Sequence, residues 1–304
     1  MNKSTAVTPY LCLFSAMVLW ASSFVALKLA FQNFHPMVVL FSRMFIGSLC
    51  FLCLPALYRS FRIHRADIKS ILLMVFFEPC LYFLFEARAI ELTTASQAGI
   101  ITSFMPLMVS VAAFLILKER LTQRTLAGMV LSVFGACWLS FSGQISADSP
   151  NPPLGNLCEM MAMACGAGYT ILLKQLTEKG YSPLFLTAMQ AFMGSIFYFP
   201  FLLLPSTPFP ATVEPVSLAA VIYLGSAVTF GAYGCYNFGV SKIPAGQAAS
   251  FINLIPVFSL AMGLVILKET MTVQQYLASA MVFTGIFMSQ HRDKQIVETG
   301  IPVK

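Results

Sequence analysis

The sequence predicts an all-α membrane protein: ten transmembrane helices arranged as two inverted five-helix repeats. Three observations lead there. The first is composition. Of 304 residues, 58% are hydrophobic and 10% charged, with a mean hydropathy of +0.80, where a soluble domain carries about 25% charged residues. The apolar runs approach about 20 residues, the length of a membrane-crossing helix and about twice that of a barrel strand. The second is an internal repeat. Ala95, Gln97, Ala98, Pro106, Ile116, Leu117, Lys118, Glu119 and Thr122 return as Ala245, Gln247, Ala248, Pro256, Ile266, Leu267, Lys268, Glu269 and Thr272, at a constant offset of 256 − 106 = 268 − 118 = 150. A fixed register of this kind means two similar halves. The third is the placement of charge. With the N-terminus inside, the cytoplasmic ends hold Lys3; Arg59, Arg62, Arg65 and Lys69; Lys118, Arg120 and Arg124; Lys174 and Lys179; Lys242; and Arg292, Lys294 and Lys304, while the outer loops hold only Arg88 and Lys268. Fourteen against two sets the orientation by the positive-inside rule, and five spans per half, an odd number, invert the second half.

The apolar runs place spans at about 10–31, 37–58, 69–87, 92–117, 122–141, 154–173, 183–204, 216–238, 243–267 and 273–290. The first follows a short start with one basic residue and no small-residue cleavage site, so it reads as an uncleaved helix. The second carries Arg43 and ends at a positive loop. The third holds Glu78 and Pro79 near its middle. The fourth carries Pro106, which cannot donate to the carbonyl of Thr102; its repeat in the ninth, Pro256, frees that of Ile252. Both prolines lie about 12 residues before a Lys and Glu pair, roughly 18 Å at ~1.5 Å per residue, so both fall at mid-membrane depth. A kinked helix lining a substrate path and a kink that only shapes packing are both open readings. The fifth span presents Gly128, Ser132 and Gly135, small residues that let helices approach. Residues 1–141 form the first repeat, 142–153 a polar linker, 154–290 the second repeat and 291–304 a cytoplasmic tail.

Ionisable and polar groups at membrane depth are the candidate site, since their burial is costly. Glu78, Tyr82 and Glu86 follow at steps of four on one helical face. Glu78 is there a proton-coupling or amine-binding carboxylate, a neutral hydrogen-bonded acid, or the permanent partner of Arg43. The eighth span carries a matching stripe of Thr229, Tyr233, Tyr236 and Asn237, with Tyr236 in register with Glu86. Trp20, Gln97, Thr102, Ser103, Gln247 and Asn253 complete the cavity set, with Pro79, Pro106 and Pro256 as kinks. Lys28 and Glu159 lie close enough to the outer interface to snorkel.

The negatives narrow the function. No G-x-x-x-x-G-K-[ST] is present, the three histidines (His35, His64, His291) lie in loops or at ends, and Asp67, Asp148 and Asp293 lie outside the spans. No catalytic residue, metal site or cofactor is expected. The eight cysteines fall in or beside apolar runs and imply no disulfide framework. The net charge of +6 bears on membrane orientation and gives no hint of a nucleic-acid partner.

With ten spans, a five-plus-five duplication and a proline followed by a Lys and Glu pair in spans four and nine, the chain resembles the EamA branch of the drug/metabolite transporter superfamily. The motif residues are Trp20, Ala21 and Lys28 in span one, Arg43 in span two, and Ala95, Pro106, Glu119, Arg120, Leu121, Gly128 and Gly135 in spans four and five. The second copy keeps Ala245, Pro256, Lys268, Glu269 and Gly285. It departs at Gly166, where the family often has tryptophan, and at Gln190, which replaces the arginine matching Arg43. The resemblance implies an inner-membrane secondary carrier, commonly an exporter of amino acids or related metabolites, with both termini cytoplasmic and lipid and a small solute as its partners. Glu119 and Glu269 look like caps at helix-hairpin ends rather than ligands. Proton coupling through Glu78 or Glu86 is a secondary expectation. The competing class is a membrane receptor that binds a solute without moving it.

Overall fold

A computed structural model describes residues 3–54, 63–109, 111, 123–143, 145–243, 248 and 251–290. Ten helices run through them: α1 (Lys3–Phe31), α2 (Pro36–Leu52), α3 (Arg65–Leu92), α4 (Ala95–Val109), α5 (Gln123–Phe141), α6 (Pro152–Glu178), α7 (Pro183–Leu203), α8 (Pro215–Lys242), α9 (Phe251–Ile266) and α10 (Val273–Gln290). Within α1, α3, α6, α7 and α8 lie stretches long and apolar enough to cross a membrane, and the other five helices contain shorter apolar stretches. Large apolar side chains such as Leu11, Phe134, Ile196 and Phe287 cover the outside of the bundle, a surface suited to lipid and not to water.

Local chemistry sets the helix ends. Pro36, Pro152, Pro183 and Pro215 each open a helix, where the missing N–H is not needed. Thr94 caps α4 by accepting from Gln97 N at 3.2 Å, and Asn151 caps α6 by accepting from Leu154 N at 3.3 Å. Four helices exceed their expected bounds: α1, α3, α6 and α8 continue beyond 10–31, 69–87, 154–173 and 216–238 because their polar ends remain helical past the apolar core. The second span is shorter than 37–58; α2 stops at Leu52, three residues before Pro55, which disfavours helix in the residue it follows.

Every helix of the first half packs on one from the second. α5 lies along α10, α4 along α9, α3 along α6, α2 along α7, and α1 along both α8 and α9. The α4/α9 crossing is close. A Cβ added at Gly99 would fall 1.8 Å from Ser259 Oγ and 2.4 Å from Ser259 Cβ, so hydrogen at this position is what lets the two backbones meet.

α3, α4 and α8 are interrupted within their length, and the described part of α9 opens on an irregular turn. α4 tightens into a 3-10 turn at Thr102–Phe104 before Pro106, and α9 does the same at Phe251–Leu254 before Pro256. The carbonyl of Thr102 accepts instead from Met105 N, so the 3-10 turn satisfies the group the proline leaves bare. α3 and α8 contain wide π-helical turns at Phe76–Leu81 and Leu224–Ala232. In α3 the cause is local: Pro79 drives Glu78 out of the helical region, to φ −146° and ψ 118°, as a residue before proline prefers. Side chains of α7 take the carbonyls laid bare there. Gln190 Nε2 donates to Glu78 O at 3.1 Å, and the Tyr198 hydroxyl donates to Pro79 O and Cys80 O at 2.9 and 2.7 Å.

Candidate functional site

These breaks surround a chamber lined from both halves. α1 contributes Trp20, Ser23 and Phe24, α2 Arg43, and α3 Glu78, Tyr82 and Glu86; α4 adds Thr102 and Met105. From the second half come Met163 and Tyr169 on α6, Tyr233 and Tyr236 on α8, and Ile252 and Ile255 on α9. Its free space is ≈ 30 Å³, room for about two water molecules. The walls are thus drawn together, and a larger solute enters only if they part.

Two polar pairs sit in this apolar shell. Arg43 Nη1 lies 3.5 Å from Glu86 Oε2, with the two side chains 1% and 5% exposed. Arg43 Nε also donates to Thr229 Oγ1 at 3.3 Å, and the guanidinium carbon lies 4.0 Å from the centre of the Phe83 ring, within cation–π range. The second pair is Tyr233, whose hydroxyl donates to Glu78 Oε1 at 2.5 Å. The partner of Arg43 is therefore Glu86 and not Glu78, which corrects one of the sequence alternatives: the π turn gives Glu78 to Tyr233 on the opposite half. Trp20 packs against Tyr233 and Tyr236, with centroids 5.0 and 4.7 Å apart. Its indole N–H is buried and has no hydrogen-bond partner among the described residues.

Of the remaining sequence candidates, Thr229 lines a smaller neighbouring pocket with Pro79. Gln97, Ser103 and Asn237 lie outside the chamber wall. Gln97 Oε1 accepts from Asn156 Nδ2 at 3.0 Å, and Ser103 Oγ turns back on Ile100 O at 2.5 Å. Asn237 Nδ2 donates to Thr187 Oγ1 and Gln190 Oε1 at 2.7 and 3.2 Å, and Tyr169 donates to Asn237 Oδ1. These amides knit helices together. Asn253 is half-buried on the 3-10 turn beside Ile252. Pro106 and Pro256 are buried, and Gln247 lies outside the described residues.

Sequence reasoning passed over Ser23, Phe24, Met105, Met163, Tyr169, Ile252 and Ile255. The repeat register carried a signal for several. Thr102 and Ile252, Met105 and Ile255, and Glu86 and Tyr236 are each 150 apart (252 − 102 = 255 − 105 = 236 − 86), and all six line the chamber. Ser23 and Tyr169 share the 146-residue offset of Trp20 and Gly166. At Gly166 an added Cβ would lie 3.2 Å from Met105 Cε and 3.4 Å from Tyr82 Cε2; those two side chains occupy the place where a tryptophan would stand by symmetry.

Glu159 is a second correction. Instead of reaching toward the interface it is fully buried. Lys28 does reach the end of the bundle, where Nζ donates to Asp148 O at 2.6 Å. Glu269 caps α4 from the other half, accepting from Ala95 N, Ser96 N and Ser96 Oγ at 2.8, 3.0 and 2.5 Å. The repeated glutamate and the repeated helix start are thus two sides of one joint. Glu119 lies outside the described residues.

The arrangement offers a guanidinium for an anionic group, carboxylates for a cationic one, an N–H donor without a partner among the described residues, and aromatic faces between them. Known proteins match the chain over the same extent. The model of the EamA-like transporter family matches residues 7–141 and 153–290. An uncharacterized transporter of Bacillus subtilis (strain 168), YetK, is 28% identical over 94% of this chain and 88% of its own length, and an uncharacterized transporter of Archaeoglobus fulgidus is 25% identical over 88% and 94%. A crystal structure with 17% identity superposes with a TM-score of 0.66, covering 95% of this chain and 97% of that one, and shares the fold. With both halves matched, the chain belongs to the EamA-like transporter family and is a multi-pass membrane transporter.

Proposed function

We propose that the protein is a secondary carrier of the inner membrane that exports amino acids or related small metabolites by alternating access, without catalytic chemistry. The observation that carries this reading is the chamber: both halves wall it, register-matched residues of the two halves line it, and it holds an ion pair away from water. Two five-helix repeats, 1–141 and 154–290, inserted in opposite senses around the 142–153 linker, would give such a chamber two near-equivalent packings, each closing one face. The pairwise packing of α1–α5 on α6–α10 supports that inversion. The fourteen-to-two charge bias supports cytoplasmic termini and an outer position for the 142–153 linker.

A zwitterion suits the lining. Its carboxylate would displace Glu86 from Arg43, its ammonium would meet Glu86 or Glu78, and its side chain would lie among Trp20, Tyr82 and Tyr236, which favours aromatic or apolar amino acids over sugars. Glu78 and Glu86 are also the groups through which a proton could be exchanged for the solute. Family membership weighs against a receptor that only binds. Extracellular metabolites of cells with and without the protein test the proposal: enrichment of an amino acid or a close relative outside expressing cells is expected. An unchanged profile, with the protein present in the membrane, would contradict export.

A further inference from the structure

Glu159 is the acid that the chamber leaves unexplained. It lies on α6, roughly 10 Å along the helix from Pro152 at ~1.5 Å per residue, one turn before the chamber residue Met163. Its side chain is fully buried, and neither carboxylate oxygen has a hydrogen-bond partner among the described residues. One turn before it on α6, a Cβ added at Gly155 would lie 3.1 Å from Ala89 O on α3, three residues past Glu86, so the α6/α3 packing runs beside Glu86. A carboxylate held there without donors or a cation is costly, so the resting group holds a proton and ionises only in passing. The charge count agrees. Glu78, Glu86 and Glu159 share one guanidinium, and Arg43 already lies against Glu86.

Position separates a proton from a substrate as the occupant. Tyr82 and Glu86 are wall residues of the chamber and Glu159 is not. An ammonium group in the chamber therefore meets Glu86, while a proton can pass beyond it. Other titratable groups stand on the elements packed against α6. On α3 they are Glu78 and Cys80 at the π turn, Arg65, Asp67 and Lys69 at the far end, and Arg88 and Glu91 near the exposed end, where the two pair at 3.1 Å. α8 brings Tyr233 and Tyr236 at chamber level, with Cys235 and Lys242; α5 brings Cys137 and Arg124; and the described part of α4 brings no titratable side chain.

We infer that Glu159 is a proton-carrying residue, relaying protons between the face of the bundle that bears residues 145–151 and Glu86 in the chamber wall. This rests on the carrier reading and adds the group that couples it. As the Glu159 carboxyl passes its proton to the Glu86 carboxylate, a hydronium ion arriving from that face reprotonates it and leaves water, so the buried carboxylate is only transient. Neutralised Glu86 no longer holds an ammonium group, so the arriving proton and an amine-bearing solute compete for one carboxylate, as exchange of one for the other requires. No electron transfer is involved.

The test uses the full chain in lipid vesicles with tritiated L-phenylalanine as the probe. Glu159→Gln should keep counterflow of the label in the absence of a pH gradient and lose both gradient-driven accumulation and the accompanying signal of a pH-sensitive dye, while Glu159→Asp keeps part of each. Wild-type accumulation in Glu159→Gln would overturn the inference, as would loss of counterflow and accumulation together, which marks a packing role. Absence of counterflow in the wild type counts against the carrier reading for this probe alone. Infrared spectra of the same vesicles then decide the proton: a protonated-carboxyl band present at neutral pH and missing in Glu159→Gln is expected, and its absence from the wild type overturns the inference.

Discussion

Replacing Arg43 by methionine should destabilise the protein, and adding Glu86→Gln should return much of the loss. Both side chains are almost fully enclosed. Methionine keeps most of the volume but leaves Glu86 buried without its cation and removes the bond to Thr229 and the contact over Phe83. Breaking one side of a buried pair costs about 3–5 kcal/mol. The 3.5 Å separation is long for a charge-assisted bond, which argues for the lower end, about 3 kcal/mol. Gln at position 86 removes the stranded carboxylate, so the double variant should recover about 1–3 kcal/mol as a coupling energy. Thermal unfolding in detergent reads this directly. At about 2–4 °C per kcal/mol, Arg43→Met should lower the midpoint by roughly 6–12 °C. A midpoint unchanged in Arg43→Met, or a double variant whose loss equals the sum of the single losses, would refute the buried pair as described.

Glu269→Ala removes the three-bond cap of α4 and should cost about 1–2 kcal/mol, seen as a lower unfolding midpoint; a smaller loss in Glu269→Gln would show that the remaining oxygen still accepts. Gly99→Val pushes a side chain into Ser259 and should reduce folded protein in the membrane, measured by monodispersity after extraction, with Gly99→Val/Ser259→Gly partly restoring it. A cysteine at the exposed Asp148, in a background with the native cysteines replaced, should react with an impermeant thiol reagent added to intact cells. Labelling only after the inner face is opened would reverse the proposed orientation.

The helices were legible because lipid demands long apolar runs, and the proline breaks because proline cannot donate a backbone bond. Residues 95–122 and their copy were legible as a repeat, but the reason for the repetition was not. Glu269 meets Ala95 across 174 positions, and identities within a block do not say that its two ends belong to opposite sides of a joint. The choice of partner for Arg43 was likewise hidden. Helical spacing puts Glu78, Tyr82 and Glu86 on one stripe, whereas the π turn before Tyr82 rotates Glu78 toward Tyr233 and leaves Glu86 for the guanidinium. Gln97 and Asn237 resembled ligands because a buried amide satisfied by a neighbouring helix and one awaiting a solute have the same sequence. Glu159 failed in the opposite sense: its distance from the helix start suggested the interface, and only the packing of α6 on α3 shows it enclosed.

The central claim, that the chamber carries a solute across the membrane, is tested most directly by counterflow. Vesicles holding the purified protein and loaded with unlabelled amino acids are diluted into a trace of each labelled one. Transient accumulation of at least one label, saturable and weakened by Arg43→Met, is the expected result. Saturable binding with no flux for any member of the panel would contradict it.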